Sequence, residues 1–228
     1  MSESQRRYHH GNLKDALIIA AAELIETQGT TDFSITDAAN RAGVSNAAPY
    51  RHFRDKQDLL EHVKELAFLG LYEALVDARE HSETEPSDQH AVISLGLAYL
   101  RFARDKQRFF SLMWEQLPLP DVTTTKASAF YVLVAAISEY IETNRKTLSA
   151  TPNHQKIKPS RADGISGDID RVPSPLKAAT QLWAVAHGLA TLEQNQLLNR
   201  FDQTADADLL LINSSKLLLE GLTREEAS

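Results

Sequence analysis

Cysteine is absent from this 228-residue chain. That excludes a disulfide framework, a thiolate metal site and a cysteine nucleophile together, and it suits a reducing compartment. No apolar run reaches the roughly 18 residues a membrane-spanning helix needs, and residues 1–11 are polar, with no signal-peptide core. The expectation is a soluble, cytoplasmic protein that does not engage a membrane. Also missing are a glycine-rich phosphate loop, a nucleophile elbow and a histidine pair spaced for zinc on one helix, and the eight histidines are scattered. No enzyme activity, cofactor or metal is therefore expected.

An excess of positive charge is lacking too. The formal net charge is −7, yet residues 1–56 hold seven Lys/Arg against seven Asp/Glu, so the deficit lies in residues 57–228. Any nucleic-acid contact must then come from a few placed residues, not from a basic surface.

What is present centres on Ser34–Lys56. Ser34 and Asp37 have the spacing of a capping box, so a helix should start at Ile35. Ile35, Ala38, Ala39 and Ala42 line one side of it, and Gly43 supplies the positive φ that ends it. Val44 should plug the corner, and Ser45 or Asn46 caps the next helix. With Pro49 following, Asn46 is the better cap, because the missing N–H then falls in the first turn, where it would be unbonded anyway. This second helix should run to about Phe53, itself a core residue. Two short helices around a three-residue turn, with small alanines on the facing side, read as a helix-turn-helix. Base-edge candidates at its front are Asn46 and Ala47, an amide for adenine and a methyl for thymine, with Ser45 beside them as a further DNA-binding residue.

Around this stretch the helical pattern continues. Asn12 should cap a first helix buried through Leu13, Leu17, Ala20, Ala21 and Leu24 and closed by Gly29. Residues 1–11, with Arg6 and Arg7, read equally as an arm reaching DNA or as a frayed terminus. From Asp55 a long helix should run to about Glu80. Ile93, Leu97 and Leu100 mark another, and Phe109 to Trp114 a short apolar one ended by Pro118 and Pro120. A further helix carries Ala127 to Ile141. Residues 144–174 contain three prolines, two glycines and no aromatic, which reads as a mobile connection. Ser174-Pro175 restarts a helix. In it Trp183 and His187, four apart, share a face, and Gly188 should permit close helix approach. A last helix from about Asp206 to Leu219 is apolar on more faces than one core consumes, which suggests a second buried surface.

Gly43-Val44-Ser45, then Tyr50-Arg51-His52-Phe53, Asp55-Lys56 and Leu59-Leu60, resemble the signature of TetR-type (tetracycline-repressor-like) transcriptional regulators. Trp183-x-x-x-His187-Gly188 resembles the C-terminal domain of one TetR subgroup. Asn46, Ala47 and Pro49 depart from the commonest pattern and bear on operator sequence. The resemblance implies an all-α fold. Residues 1–56 would form an arm and a three-helix helix-turn-helix DNA-binding domain; residues 57–228 would form a helical effector-binding and dimerisation domain. It further implies phosphate contacts from Tyr50 and His52, completed by Thr36 and Lys56, although His52 could instead pack on the first helix. The long helix from Asp55 would link reader to body.

The resulting expectation is a homodimer through the last two helices on a palindromic operator of double-stranded DNA, because one short helix reads only a few base pairs. A small apolar or amphipathic ligand would release it from a cavity lined by some of Tyr99, Phe102, Phe109, Met113, Trp114, Tyr131, Trp183 and His187, residues that could equally be plain core. An activator of the same family, and an interaction protein with a vestigial helix-turn-helix, are the alternatives.

Overall fold

The computed structural model describes residues 13–84, 91–115, 125–150 and 174–224. The described residues hold helices and no strand: α1 (Leu13–Gln28), α2 (Ile35–Arg41), a 3₁₀ turn (Pro49–Arg51), α3 (Lys56–Thr84), α4 (Ala91–Asp105), α5 (Gln107–Trp114), α6 (Thr125–Ala150), α7 (Pro175–Gln194), α8 (Leu198–Phe201) and α9 (Ala207–Arg224). The expected all-α class is what the chain adopts. Asn12, Arg6, Arg7, Pro118 and Pro120 lie outside the described residues.

The chain divides into two compact units, residues 1–70 with 106–126, and residues 71–105 with 127–228. In the N-terminal unit, Leu17, Ala21, Leu24 and Ile25 of α1 close on Ile35, Ala38 and Ala39 of α2, on Phe53, and on Leu59, Leu60 and Val63 of α3. The close crossing expected of the alanines is between α2 and a following recognition helix; they pack instead against α1, and no second α-helix of the motif forms. Leu112 of α5 belongs to the same buried cluster, with Phe109 packed against it. The spacing of apolar residues in α5 gave no sign of this partnership. Lys64 of α3 is buried (3 % exposed) and donates from Nζ to the Glu115 carbonyl at the end of α5, 3.1 Å away.

In the C-terminal unit α4, α7 and α9 pack on one another. Val92, Leu95, Tyr99, Leu182, Ala186, Leu211 and Leu219 are among the buried residues. Arg104 of α4 clamps the three together, its guanidinium reaching Glu193 of α7 at 2.8 Å and Asp208 of α9 at 2.7 Å. Close helix approach occurs at Gly96, where an added Cβ would stand 2.8 Å from Leu211 Cδ2. At Gly188, where it was expected, nothing lies within 4 Å of such an atom.

Several boundaries differ from the sequence reading. Residues 144–150 are helical, because α6 runs on to Ala150 before the prolines begin at Pro152; residues 151–173 of the supposed connection lie outside the described residues. α3 continues past Glu80 to Thr84. Pro175 is the first residue of α7, as predicted, but Ser174 makes no side-chain capping bond.

Candidate nucleic-acid interface

The site begins with the capping box. The Ser34 N–H donates to Asp37 Oδ2 at 2.7 Å, and the Asp37 N–H donates to Ser34 Oγ at 3.2 Å. The Ser34 hydroxyl also donates to Asp37 Oδ2, at 2.6 Å, and this bond, with that from the Ser34 N–H, holds the Asp37 carboxyl below its ordinary pKa. These bonds fix the start of α2, and Arg41 ties its end to Glu23 of α1 at 2.8 Å. Ala42 then caps the helix and Gly43 turns with φ +71°. Val44 is half-buried against the core.

The second helix of the motif does not form as predicted. A 3₁₀ turn over Pro49–Arg51 replaces the α-helix expected from Asn46 to about Phe53, and it has no side-chain cap. The reason is Pro49, which has no N–H to give to the Ser45 carbonyl. That carbonyl instead accepts from Ala48, three residues on, at 2.9 Å. The tighter winding persists through Arg51 to Ala48 and His52 to Pro49, and only Phe53 to Pro49 spans four residues. Pro49 and Phe53 are buried and anchor the turn from below.

Above these anchors, Ser45, Asn46, Ala47, Tyr50, Arg51 and His52 are all exposed. Tyr50 is 58 % exposed, unusual for so large a ring in a position fixed by a turn. His52 is exposed, with its ring 6.4 Å from that of Phe53 between centroids, and His62 meets Phe53 edge-on at 5.4 Å. Arg51 and Arg54 add exposed positive charge that the sequence reading did not single out, although Arg54 is shared with Asp58 at 3.4 Å. Thr36 is half-buried, its hydroxyl 2.7 Å from that of Ser34. Lys56 is half-buried as the first residue of α3, its Nζ 5.1 Å above the Phe33 ring. Asp55 caps that helix, accepting from the Asp58 N–H at 2.8 Å. The face is thus a small, nearly uncharged tip with cations at its edges.

The proposed ligand residues are more dispersed. In the C-terminal unit a cavity of about 20 Å³, room for one water molecule, is lined mainly by Leu75, Leu95, Gly96, Tyr99, Trp183 and Leu211. Of the residues named from sequence, Tyr99 and Trp183 line it. His187 stands behind Tyr99, with Nδ1 3.0 Å from its hydroxyl, and the Tyr99 ring lies 4.9 Å from that of Trp183. Burial raises the Tyr99 pKa and lowers that of His187, so both stay neutral near pH 7. Phe130 also touches Trp183, at 5.6 Å between centroids. Phe102 is half-buried and Tyr131 is exposed. Phe109, Met113 and Trp114 belong to the N-terminal unit, where Trp114 packs against Phe68 and Phe110. Among the described residues no cluster could hold a metal ion, and no helix is long and apolar enough to cross a membrane.

Solved structures share this fold. A protein of unknown function from Rhodococcus sp. RHA1 is 27 % identical, with a TM-score of 0.68 over 95 % of this chain and 98 % of that one. SCO4313, described as a candidate regulatory protein, is 21 % identical, with a TM-score of 0.60 over 95 % and 97 %. A TetR family transcription regulator from Marinobacter aquaeolei VT8 is 14 % identical, with a TM-score of 0.54 over 95 % and 97 %. No curated protein matches the sequence. Residues 17–63 match the family described as bacterial regulatory proteins, tetR family. Residues 92–211, more than half of the 228, match the tetracyclin repressor-like C-terminal domain. The chain therefore belongs to the TetR family and is a DNA-binding transcriptional regulator.

Proposed function

We propose that this regulator is a cytoplasmic homodimeric repressor that holds a palindromic operator and leaves it when a small, largely apolar ligand enters the C-terminal unit. The observation that carries the reading is a pairing of two sites: an exposed face at residues 45–52, and a cavity in the other unit whose lining, among the described residues, includes no charged side chain. Asn46 and Ala47 would read base edges. Tyr50, His52, Thr36 and Lys56 would hold phosphates and set the register, with Arg6 and Arg7 reaching beside them. Trp183-x-x-x-His187-Gly188 marks the subgroup whose C-terminal domain the chain would share. Residues 1–56 carry the reading elements in this account, on a core completed by the start of α3 and by α5, and the C-terminal unit serves as effector and dimer domain.

Two observations support dimerisation. A 3₁₀ turn reaches few base pairs, so useful specificity needs a second half-site related by a two-fold axis. The face of α9 that carries Leu209, Leu210 and Leu217 is exposed, Leu217 by 72 %, and a second copy would cover it together with α7. The ligand acts by population shift, lowering operator affinity by the difference in its affinity for the two dimer geometries.

Selection of bound fragments from a random DNA pool, followed by footprinting of the winner, tests the reading. A two-fold symmetric site is expected, weakened at all sequences by Tyr50→Phe and Lys56→Ala and relaxed in base preference by Asn46→Ala. Failure to enrich any sequence, even at low salt, would overturn the assignment of this face.

A further inference from the structure

The cavity in the C-terminal unit says more about its ligand than that it is apolar. Among the described residues its lining holds two hydroxyl-bearing side chains, Tyr99 and Ser215, and no charged one. A carboxylate or ammonium placed there would lose its water without gaining a counter-ion, which is prohibitive for a buried charge. A hydroxyl or similar neutral group, by contrast, would find the side chains of Ser215 and of Tyr99, whose hydroxyl oxygen can accept a further hydrogen bond beside the one it shares with His187.

At about 20 Å³ the cavity is too small for any organic molecule, so a wall must move. Leu211 is the wall that meets no side chain at Gly96. It is seated on bare backbone at Gly96, so close that a Cβ there would be 2.8 Å from its Cδ2. The contact is between one flexible side chain and a glycine, so a change of rotamer breaks it. One turn before it, Asp208 holds the start of α9 to Arg104 at 2.7 Å, so the helix is pinned while the leucine swings.

We propose that this cavity takes an uncharged apolar ligand carrying one hydroxyl-like group, and that Leu211 leaves its notch over Gly96 to admit it. The inference rests on the ligand-responsive reading above and names the chemistry that reading leaves open.

Three probes of matched shape separate the possibilities at pH 7: benzyl alcohol, benzoate and benzylammonium. Trp183 lines the cavity, so its emission in the full-length Trp114→Phe variant reports occupancy directly. Benzyl alcohol should shift that emission saturably, and both ions should bind at least about tenfold more weakly. Leu211→Ala should bind benzyl alcohol about fivefold or more tightly, since the room no longer has to be made; Leu211→Val, a smaller truncation, gives the same direction if the alanine variant does not fold. Benzoate or benzylammonium binding as well as the alcohol would overturn the ligand class, and unaltered affinity in the folded Leu211 variant would overturn the gate. Absence of binding by any probe, in the parent and the Leu211 variant alike, would overturn the cavity as a site. Operator occupancy read in the same samples keeps the two proposals apart. Alcohol bound with the operator still held refutes release alone, whereas operator release by benzoate refutes the ligand class alone.

Discussion

The hydroxyl of Tyr99 and Nδ1 of His187 are 3.0 Å apart, joining α4 to α7 beside the Trp183 ring. Burial lowers the His187 pKa, so the folded protein resists a proton that the unfolded chain accepts near pH 6.5. Between that value and the lower folded pKa the unfolded state binds more protons, so stability falls as pH drops below about 6.5. Thermal melts from pH 7.5 to 5.5 should show a steeper decline for the parent than for His187→Gln. Parallel slopes would remove His187 from the account of acid sensitivity.

A buried lysine makes a second test. Lys64→Met keeps the length of the stem but loses the Nζ bond to the Glu115 carbonyl at the end of α5. Hydrogen bonds from charged groups are worth roughly 1.5–3 kcal/mol, and the N-terminal unit should lose stability on that scale. Urea unfolding followed by Trp114 emission in a Trp183→Phe background measures it, because Trp114 packs against Phe68 and Phe110 of the same unit.

Two glycines separate backbone strain from crowding. Gly43 and Gly29 both have φ +71°, but an added Cβ meets nothing within 4 Å at Gly43 and lies 2.9 Å from Arg108 Nη2 at Gly29. Gly43→Ala should cost about 1 kcal/mol from φ alone. Gly29→Ala should cost a few tenths more, and Arg108→Ala should remove the difference in a double-mutant cycle.

Salt dependence counts the phosphates. If roughly three are neutralised per subunit of a dimer, log K against log salt falls with a slope near −5. Lys56→Ala, acting once in each subunit, should flatten it to about −3.5 while leaving the preferred sequence unchanged.

Restoring an N–H at the turn addresses the reader itself. Pro49→Ala allows a bond to the Ser45 carbonyl that proline forbids, and should lengthen the turn into a helix visible as added far-UV helicity. The bases selected from a random pool should change at the positions nearest Asn46. An unchanged half-site would mean that the 3₁₀ winding does not determine what is read.

Local chemistry was legible from the residues alone. The Ser34/Asp37 box, the Gly43 turn, the Asp55 cap and the burial of Phe53 each depend on neighbours within a few positions, and each forms. Pro49 was weighed as a tolerable first-turn residue, but one missing N–H was enough to change the winding of so short a segment. What could not be read was which core a distant aromatic joins. Phe109, Met113 and Trp114 look like Tyr99 and Trp183 in composition, yet they fall in the other unit, because packing partners far apart in sequence leave no periodic trace. Gly96 escaped notice for the same reason: its role depends on Leu211, more than a hundred residues away.

Leu112 sits in the N-terminal core although a stretch of the C-terminal unit, residues 71–105, separates it from the rest of that core. The chain therefore crosses the boundary at 70, 105 and 126. A reader cut out after residue 70 would leave the seat of Leu112 open to water. Anyone grafting this reader onto another effector domain must carry residues 106–126 with it, so the specificity of this regulator is not portable as a single uninterrupted cassette.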